Sequence, residues 1–528
     1  MPHASGAVVR RVAVAALLIA TGNIASRLIG MVREAVIAGL FGRGADVAAF
    51  TAASTVPTIV YDLLVNGAIS AALVPVFSAY AEEDEAAFWQ VAATVINLAL
   101  GAIALVVGIL IWQTPMVVTL LAGGFEPDLR DQTIVMTRLL LPAVFFMGLS
   151  GLITALLYAR QRFLLPAFTT SAFNLGIILG ALLLQPWLGP LSLVVGVLIG
   201  ALLQVVLQLP GLRDATHIPL LTFDLAHPGV RRILALYAPV ALGIGFSVVG
   251  IVIDRHLASR LTPDAIPTMR YATALIQFPL GLVAAAVSFA VLPTLSRQAS
   301  VGDEAAFRST LAMGINVVLL LILPATAGLA ALAEPVVALL YQRGAFGGED
   351  TQATARALLL YLPGLPAAAL DQMILFAFYA RQRTLTPNLV QGAAILIYLA
   401  TALPLLFLTP LGVAALILAN AAQWIGHALI LYLLSRRLVD LGGLRIGETL
   451  GKCLVACLAL FGVAWVLSGA LAFAGPPVAL IVAGGVATLT YAGICLALRI
   501  EALDFLLAAL HQRIVQRHGA NGHIKSTK

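Results

Sequence analysis

The residues of this chain best suited to chemistry stand where charge is most costly. An apolar run from Val12 to Phe41, long enough to cross a bilayer, contains Asn23-Ile-Ala-Ser26-Arg27-Leu-Ile-Gly30-Met-Val-Arg33-Glu34. A charged side chain at membrane depth costs ~2.5 kcal/mol or more, so it normally faces a wet cavity or a partner and marks the path of an ion or polar substrate. Arg27 and Glu34 are seven residues apart and fall on nearly the same helix face, with Arg33 displaced around it. Gly30 between them permits a bend or the close approach of another helix. The plainer alternative has both arginines snorkelling to opposite interfaces. Arg27 lies near the middle of the run, which argues against it.

Other polar groups join these. Asp62 and Asn66, four apart, share a face of the second apolar run. The seventh run ends in Asp254-Arg255-His256, and the eighth begins Met269-Arg270-Tyr271-Ala272. Guanidinium forks take phosphate oxygens bidentately, so arginines converging in a dry cavity suit a phosphate or diphosphate head group. Asp62 has an alternative as the internal salt-bridge partner of an arginine. Arg255 and Arg270 have one at the outer mouth rather than the midplane. The candidate substrate-binding set is therefore Ser26, Arg27, Arg33, Glu34, Asp62, Asn66, Arg255 and Arg270.

Catalysis finds little support. Gly447-Glu-Thr-Leu-Gly451-Lys452-Cys453 lacks the four-residue gap of a phosphate loop and has Cys in place of Ser/Thr, so it reads as the start of a helix. The eight histidines are dispersed, and only His427 lies deep in a helix, as a packed polar contact. Cys453, Cys457 and Cys495 show no zinc spacing and read as small core residues. No enzyme activity, cofactor, metal or nucleotide is expected. Any transport would draw on a gradient, the membrane potential or downstream consumption.

The elements that position these residues follow from composition. The 528 residues are 61% hydrophobic and 10% charged, with mean hydropathy +1.02, whereas soluble chains carry roughly 25% charged residues. An all-α, polytopic membrane protein follows. The +6 net charge is scattered over short loops and points to topology, not to nucleic acid. Arg10-Arg11 before an apolar run has the look of a signal peptide, but Arg27 and Arg33 within the same stretch favour an uncleaved first helix. Runs of about 20 residues can be placed fourteen times, at approximately 12–41, 47–79, 88–112, 132–159, 165–186, 188–212, 230–260, 268–298, 306–330, 350–380, 386–407, 410–434, 446–474 and 476–499. With both termini on one side, that side collects 20 basic loop residues and the other only Arg43, Arg130, Arg260 and Arg343. This asymmetry places both termini in the cytoplasm.

The chain also repeats itself. Tyr158-Ala-Arg-Gln-Arg162-Phe-Leu-Leu-Pro166 returns as Tyr379-Ala-Arg-Gln-Arg383-Thr-Leu-Thr-Pro387, a shift of 221. Asp84-Glu-Ala-Ala-Phe88 returns as Asp303-Glu-Ala-Ala-Phe307 (shift 219), Pro75 as Pro293 (218), and Leu141-Pro142 as Leu362-Pro363. Six spans separate each pair, an even number, so the copies share an orientation. This is a parallel duplication of the kind transporters use, with the substrate site between lobes near the midplane. The expected domains are a six-helix lobe over 1–212, a cytoplasmic linker over 213–229, a second six-helix lobe over 230–437, helices thirteen and fourteen within 438–500, and a cytoplasmic tail over 501–528.

Together these motifs carry a resemblance. Ser26-Arg27-x-x-Gly30-x-x-Arg33-Glu34, Phe41-Gly42-x-Gly44 and Asn66-Gly67-Ala68-x-Ser70-x-Ala72-Leu-Val74-Pro75 are similar to signatures of the MurJ/MviN family. Gln277-Phe-Pro279-x-Gly281 and Tyr379-Ala-Arg-Gln-Arg383-x-x-x-Pro387 resemble its second-lobe signatures. That family belongs to the multidrug/oligosaccharidyl-lipid/polysaccharide exporter superfamily. The resemblance implies a flippase for lipid II, the undecaprenyl-diphosphate-linked disaccharide-pentapeptide, working by alternating access in the bacterial inner membrane for peptidoglycan synthesis. It implies that Arg27 and Arg33, with Arg270, hold the diphosphate, and that helices thirteen and fourteen form a groove for the lipid tail. Lipid II, membrane lipids and other cell-wall synthesis proteins are the implied partners. The chain departs from the family pattern at Tyr61, where an arginine is frequent, at Ala48, where an aspartate is, and at Ala274, one turn from Arg270. Where some members bind sodium through acids in helix eleven, this chain has Asn388 and Gln391. The rival readings are a flippase for another polyprenyl-diphosphate glycan, a drug/cation antiporter of the same superfamily, and a non-transporting scaffold. The net basic first helix disfavours the antiporter.

The topology is directly testable. Reporter fusions after Lys528 and within residues 213–228 are both expected to report the cytoplasm, and a periplasmic signal at either overturns the orientation.

Overall fold

In hydrocarbon a backbone amide finds no water, so a long apolar run satisfies its own hydrogen bonds as a helix. The computed structural model describes residues 3–83, 85–213, 222, 224, 226–383, 385–436 and 445–504, and among these every regular element is helical. Twelve of the described helical segments are long and apolar enough to cross a membrane. The fourteen spans expected from sequence count, besides these twelve, the long helices His3–Phe41 and Ala265–Ser300. Most of the linker after residue 213 and of the tail after 504 lies outside the described residues.

The chain packs as two compact units. The first comprises Met1–Leu275, Leu340–Ala357 and Thr384–Asn420. It begins with α1 (His3–Phe41) and α2 (Ala45–Tyr61), then passes through two π-helical turns, Asp62–Asn66 and Ile69–Leu73. There follow α3 (Val74–Glu83), α4 (Glu85–Trp112), α5 (Thr114–Ala122), α6 (Pro127–Leu140), α7 (Ala143–Ala159), α8 (Leu164–Ala167), α9 (Thr169–Leu188), α10 (Leu191–Gln208) and α11 (Pro228–Ser259). α12 (Ala265–Ser300) starts in this unit and continues into the second. The second unit comprises Ile276–Leu339, Leu358–Arg383 and Ala421–Lys528. It holds α13 (Glu304–Ala331) and most of α14 (Ala333–Tyr341), while α15 (Gly348–Tyr361) lies mostly in the first. α16 (Leu365–Ala380) belongs to the second unit and α17 (Leu385–Leu408) to the first; α18 (Val413–Ser435) is divided, and α19 (Ile446–Ala470) and α20 (Pro476–Ala497) complete the second.

The core of the first unit is built on Val65, Phe77, Phe88, Val91, Leu152 and Val230, all buried. In the second unit α13 packs along α19, and the Tyr491 hydroxyl donates to the Leu320 carbonyl at 2.8 Å. Cys453, Cys457 and Cys495 are buried and free. Gly447–Cys453 lies within α19.

The repeat seen in sequence has a local structural counterpart. Gln161 and Gln382 both adopt left-handed φ, 58° and 57°. In each, the next residue's amide reaches back five residues, Arg162 to Leu157 at 2.7 Å and Arg383 to Phe378 at 2.9 Å, which closes a helix C-terminus in the Schellman manner. The arginine before each glutamine does the same work twice. Arg160 pairs with Glu85 at 3.0 Å and lies over Phe88, and Arg381 pairs with Glu304 and lies over Phe307. Leu141-Pro142 breaks α6 from α7, and Leu362-Pro363 breaks α15 from α16.

One packing device shapes the first unit strongly. Gly176 and Gly180 of α9 face Gly200 and Gly196 of α10 so closely that a Cβ on either α9 glycine would meet α10 backbone. Small residues four apart on both helices are the seam by which helices associate where no hydrophobic effect drives them together. Gly180→Val is expected to force the pair apart at a cost of about 1–3 kcal/mol. Thermal unfolding of the detergent-solubilised protein reads this, and an unchanged melting temperature refutes the close seam.

Candidate functional site

The α1 charges resolve into a compact ionic cluster. Glu34 is buried, with 3% of its surface exposed. Arg33 donates to Glu34 Oε1 through Nε at 3.1 Å and Nη2 at 2.5 Å. Arg270 of α12 donates to Oε2 through Nε at 2.8 Å and to Oε1 through Nη2 at 3.0 Å. Its remaining nitrogen, Nη1, reaches Thr51 Oγ1 of α2 at 3.0 Å, and its guanidinium lies 5.4 Å from the Phe50 ring centre. Arg33 Nη1 donates to Asn174 Oδ1 of α9 at 2.7 Å, and Asn174 Nδ2 returns to the Ser26 carbonyl at 3.1 Å. One carboxylate thus joins four helices.

The cluster sharpens the sequence reading. Helical spacing set Arg33 apart from Glu34 around the first helix, but the long arginine side chain curls back onto its neighbour. Arg270, two hundred residues away in sequence, completes the pair. Arg27 is half-buried, two turns before Glu34 on the same helix, and Ser26 Oγ donates to the Asn23 carbonyl at 3.0 Å. Neither is a ligand of Glu34.

Two candidates lie elsewhere in the first unit. Asp62 and Asn66 do share a face: Asn66 Nδ2 donates to Asp62 Oδ1 at 2.9 Å within the π-helical turn. Among the described residues Asp62 has no arginine partner, which removes the salt-bridge alternative. Arg255 stands apart from the Glu34 cluster, half-buried, its Nε a buried donor without a hydrogen-bond acceptor among the described residues. Its neighbour Asp254 accepts from Tyr398 at 2.8 Å and Asn420 at 2.9 Å. In the second unit His427 bonds Asp371 at 2.8 Å, a partner the sequence reading did not name. Asn388 is half-buried and donates to the Pro239 carbonyl at 3.4 Å. No group of three or more His, Cys, Asp or Glu among the described residues is placed to hold a metal.

A second ionic cluster went unseen in the sequence, where Arg43 counted only as a loop charge. Its Nε donates to Asp350 at 3.0 Å, and its Nη1 pairs with Asp264 and bonds Thr268 at 2.8 Å. Beside it the Tyr271 hydroxyl donates to the Gly42 carbonyl at 2.8 Å, and the Ala345 amide to the Gly39 carbonyl at 2.8 Å. Gly42 has φ +64, and a Cβ there would also press on Ala345. Nothing in the sequence spacing pairs Arg43 with Asp264, which lies 221 residues on, whereas the repeat shift at this end of the chain is 218. The turn between α1 and α2 is therefore pinned to residues of the second copy at one end of the helices.

The family model described as lipid II flippase MurJ matches residues 37–476. The lipid II flippase MurJ of Burkholderia cenocepacia is 32% identical over 385 residues, covering 70% of this chain and 74% of that protein. A probable lipid II flippase MurJ of Synechocystis sp. is 30% identical over 475 residues, covering 86% and 88%. Among solved structures, a lipid II flippase MurJ in an inward closed conformation aligns with TM-score 0.77 at 22% identity, over 92% of this chain and 99% of that one. An inward-facing multidrug transporter of the MATE family aligns with TM-score 0.65 at 12% identity, over 82% and 98%. These structural likenesses are of fold.

Removing the shared carboxylate should expose the cost of the cluster. Glu34→Gln leaves two guanidiniums without a counter-charge, and breaking a buried pair costs roughly 3–5 kcal/mol. With the Arg33 side chain 25% exposed, the lower end of that range is expected. A clear fall in melting temperature, partly restored when Arg33→Gln is added, is the outcome to measure; an unaltered protein refutes the coupling.

Proposed function

The chain belongs to the lipid II flippase MurJ family, and from that membership we propose that it carries lipid II from the inner to the outer leaflet of the bacterial inner membrane for peptidoglycan synthesis. It is a multi-pass membrane transporter and not a catalyst. Lipid II and the surrounding membrane lipids are its partners, and other cell-wall synthesis proteins are further candidates. The observation that carries the reading, beside membership, is the net positive Glu34 cluster at membrane depth.

Two guanidiniums share one carboxylate, so the cluster keeps an excess positive charge and every fork is aimed before a substrate arrives. A diphosphate offers more negative charge and more acceptor oxygens than Glu34 does. Arg33 and Arg270 can exchange Glu34 for phosphate oxygens, with Arg27 below them on α1 as the first cation met by an entering head group. Exchange loosens α12 from α1 at the point where Glu34 joins them. With both termini cytoplasmic, the Arg43 cluster lies at the periplasmic end, and its contacts must part for release outward. The remaining candidates, Ser26, Asp62, Asn66 and Arg255, would line the path, and α19 and α20 would accommodate the lipid tail. The two lobes of the duplication would move against each other.

The test is a lipid II accessibility assay alongside complementation of cells depleted of their own flippase. Arg27→Ala and Arg270→Ala are expected to abolish flipping while expression and membrane insertion persist. Arg270→Lys keeps the charge but loses the fork. Losing one charge-assisted bond of ~1.5–3 kcal/mol weakens head-group binding roughly tenfold to a hundredfold. Wild-type flipping by both alanine variants overturns the diphosphate mechanism, and failure of the wild-type chain to complement overturns the function.

A further inference from the structure

Asp62 is a charge that the arginine cluster leaves unused. It is half-buried, and its carboxylate has a single hydrogen bond among the described residues, from the neutral Asn66 amide at 2.9 Å. A carboxylate at membrane depth is costly without a counter-charge. Its surroundings are unusual in three ways. The backbone from Asp62 to Asn66 is π-helical, a distortion that recurs at functional sites. The hydroxyl oxygen of Tyr237, on α11, is buried with no hydrogen-bond partner among the described residues. Gly67, just past Asn66, makes room for the Ile244 side chain, and the Asp62 carbonyl and the Tyr237 ring lie 3.3 and 3.4 Å from where its Cβ would stand.

We propose that Asp62, Asn66 and Tyr237 form a subsite for an aliphatic ammonium group, the one on the diamino acid of the substrate's peptide arm. This deepens the flippase reading and rests on it. An ammonium has three N–H donors. The free Asp62 oxygen, the Asn66 carbonyl oxygen and the Tyr237 hydroxyl are three acceptors, and tyrosine ring faces attract a cation. A divalent metal asks for six or more oxygens, more than this cluster offers. The spacing agrees. Thr51, bonded to Arg270, precedes Asp62 by eleven residues, or ~16 Å of helix at 1.5 Å per residue. A diphosphate and an amine separated by a sugar and about three extended residues, each ~3.6 Å at most, span a distance of that order. The anionic end of the head group then sits at the arginines and the cationic end at Asp62, which fixes its orientation.

The experiment compares two ligands on the purified full-length chain: lipid II with a free side-chain amine, and the same lipid acetylated at that amine. The wild type is expected to bind the free form roughly tenfold more tightly, the scale of one charge-assisted contact. Asp62→Asn should bring that ratio close to one, and Tyr237→Phe should lower it in part. Because the ratio is taken within each variant, a general loss of folded protein cancels. Equal binding of both lipids by the wild type, or an undiminished ratio in Asp62→Asn, overturns the subsite and leaves the flippase reading intact. If the wild type binds neither lipid, the flippase reading fails and the subsite falls with it.

Discussion

Hydrocarbon does not tolerate a bare charge, and the first unit is arranged around the one carboxylate that answers this for two arginines. Glu34 accepts from Arg33 on its own helix and from Arg270 on α12. Each arginine spends what remains of its fork on a further helix, Asn174 of α9 or Thr51 of α2. The low dielectric strengthens such a network when every member is satisfied and penalises it when one is missing. The cluster is therefore stiff and specific as it stands. Its charge does not close to zero, since two guanidiniums share one carboxylate. A neutral pair would give stability without recognition, and two free arginines would give recognition at a prohibitive desolvation cost.

The duplication read in the sequence is also visible in local contacts. Scaffold and chemistry diverge differently. The Gln161 and Gln382 turns and their arginines keep both geometry and partners. Inside the helices, however, Ser150 with Gln208 in the first copy gives way to Asp371, 221 residues on, with His427 in the second. The copies keep what closes helices and vary what carries charge.

How much of this was legible in sequence depended on range. Hydrophobic runs fixed the helices because their signal is local, some twenty residues of uniform character. The repeat was legible because Tyr158–Pro166 and Tyr379–Pro387 are long identities. The cost of charge at membrane depth singled out Arg33, Glu34 and Arg270 among the eight candidates without naming their partners, and the structure joins these three. Partners were another matter. Helical spacing could not say that Arg33 folds back onto Glu34, because a side chain with four rotatable bonds is not bound to its Cβ direction. Arg43 was overlooked because a loop arginine is usually solvated, and no local spacing ties it to Asp264. The π-helical turns at Asp62 and Ile69 leave no period in the hydrophobic pattern, and the glycine seam of α9 and α10 was hidden inside runs read only for hydropathy.

The energies involved suit a carrier better than a static scaffold. Moving a two-state equilibrium from 1:99 to 99:1 takes about 5.5 kcal/mol of differential binding. The polar contacts pinning the α1–α2 turn, beside the buried rings of Tyr271, Tyr341 and Phe346, are a few charge-assisted bonds around Arg43 and two neutral ones, Tyr271 to Gly42 and Ala345 to Gly39. At ~1.5–3 and ~0.5–1.5 kcal/mol each, they sum to the same order as that shift. A head group that draws two guanidinium forks from Glu34 changes the balance by a comparable amount, because each fork carries charge-assisted bonds of the same size. On the proposed reading, the polar contacts at the turn and the shared carboxylate at membrane depth are the bonds that a bound diphosphate would have to exchange.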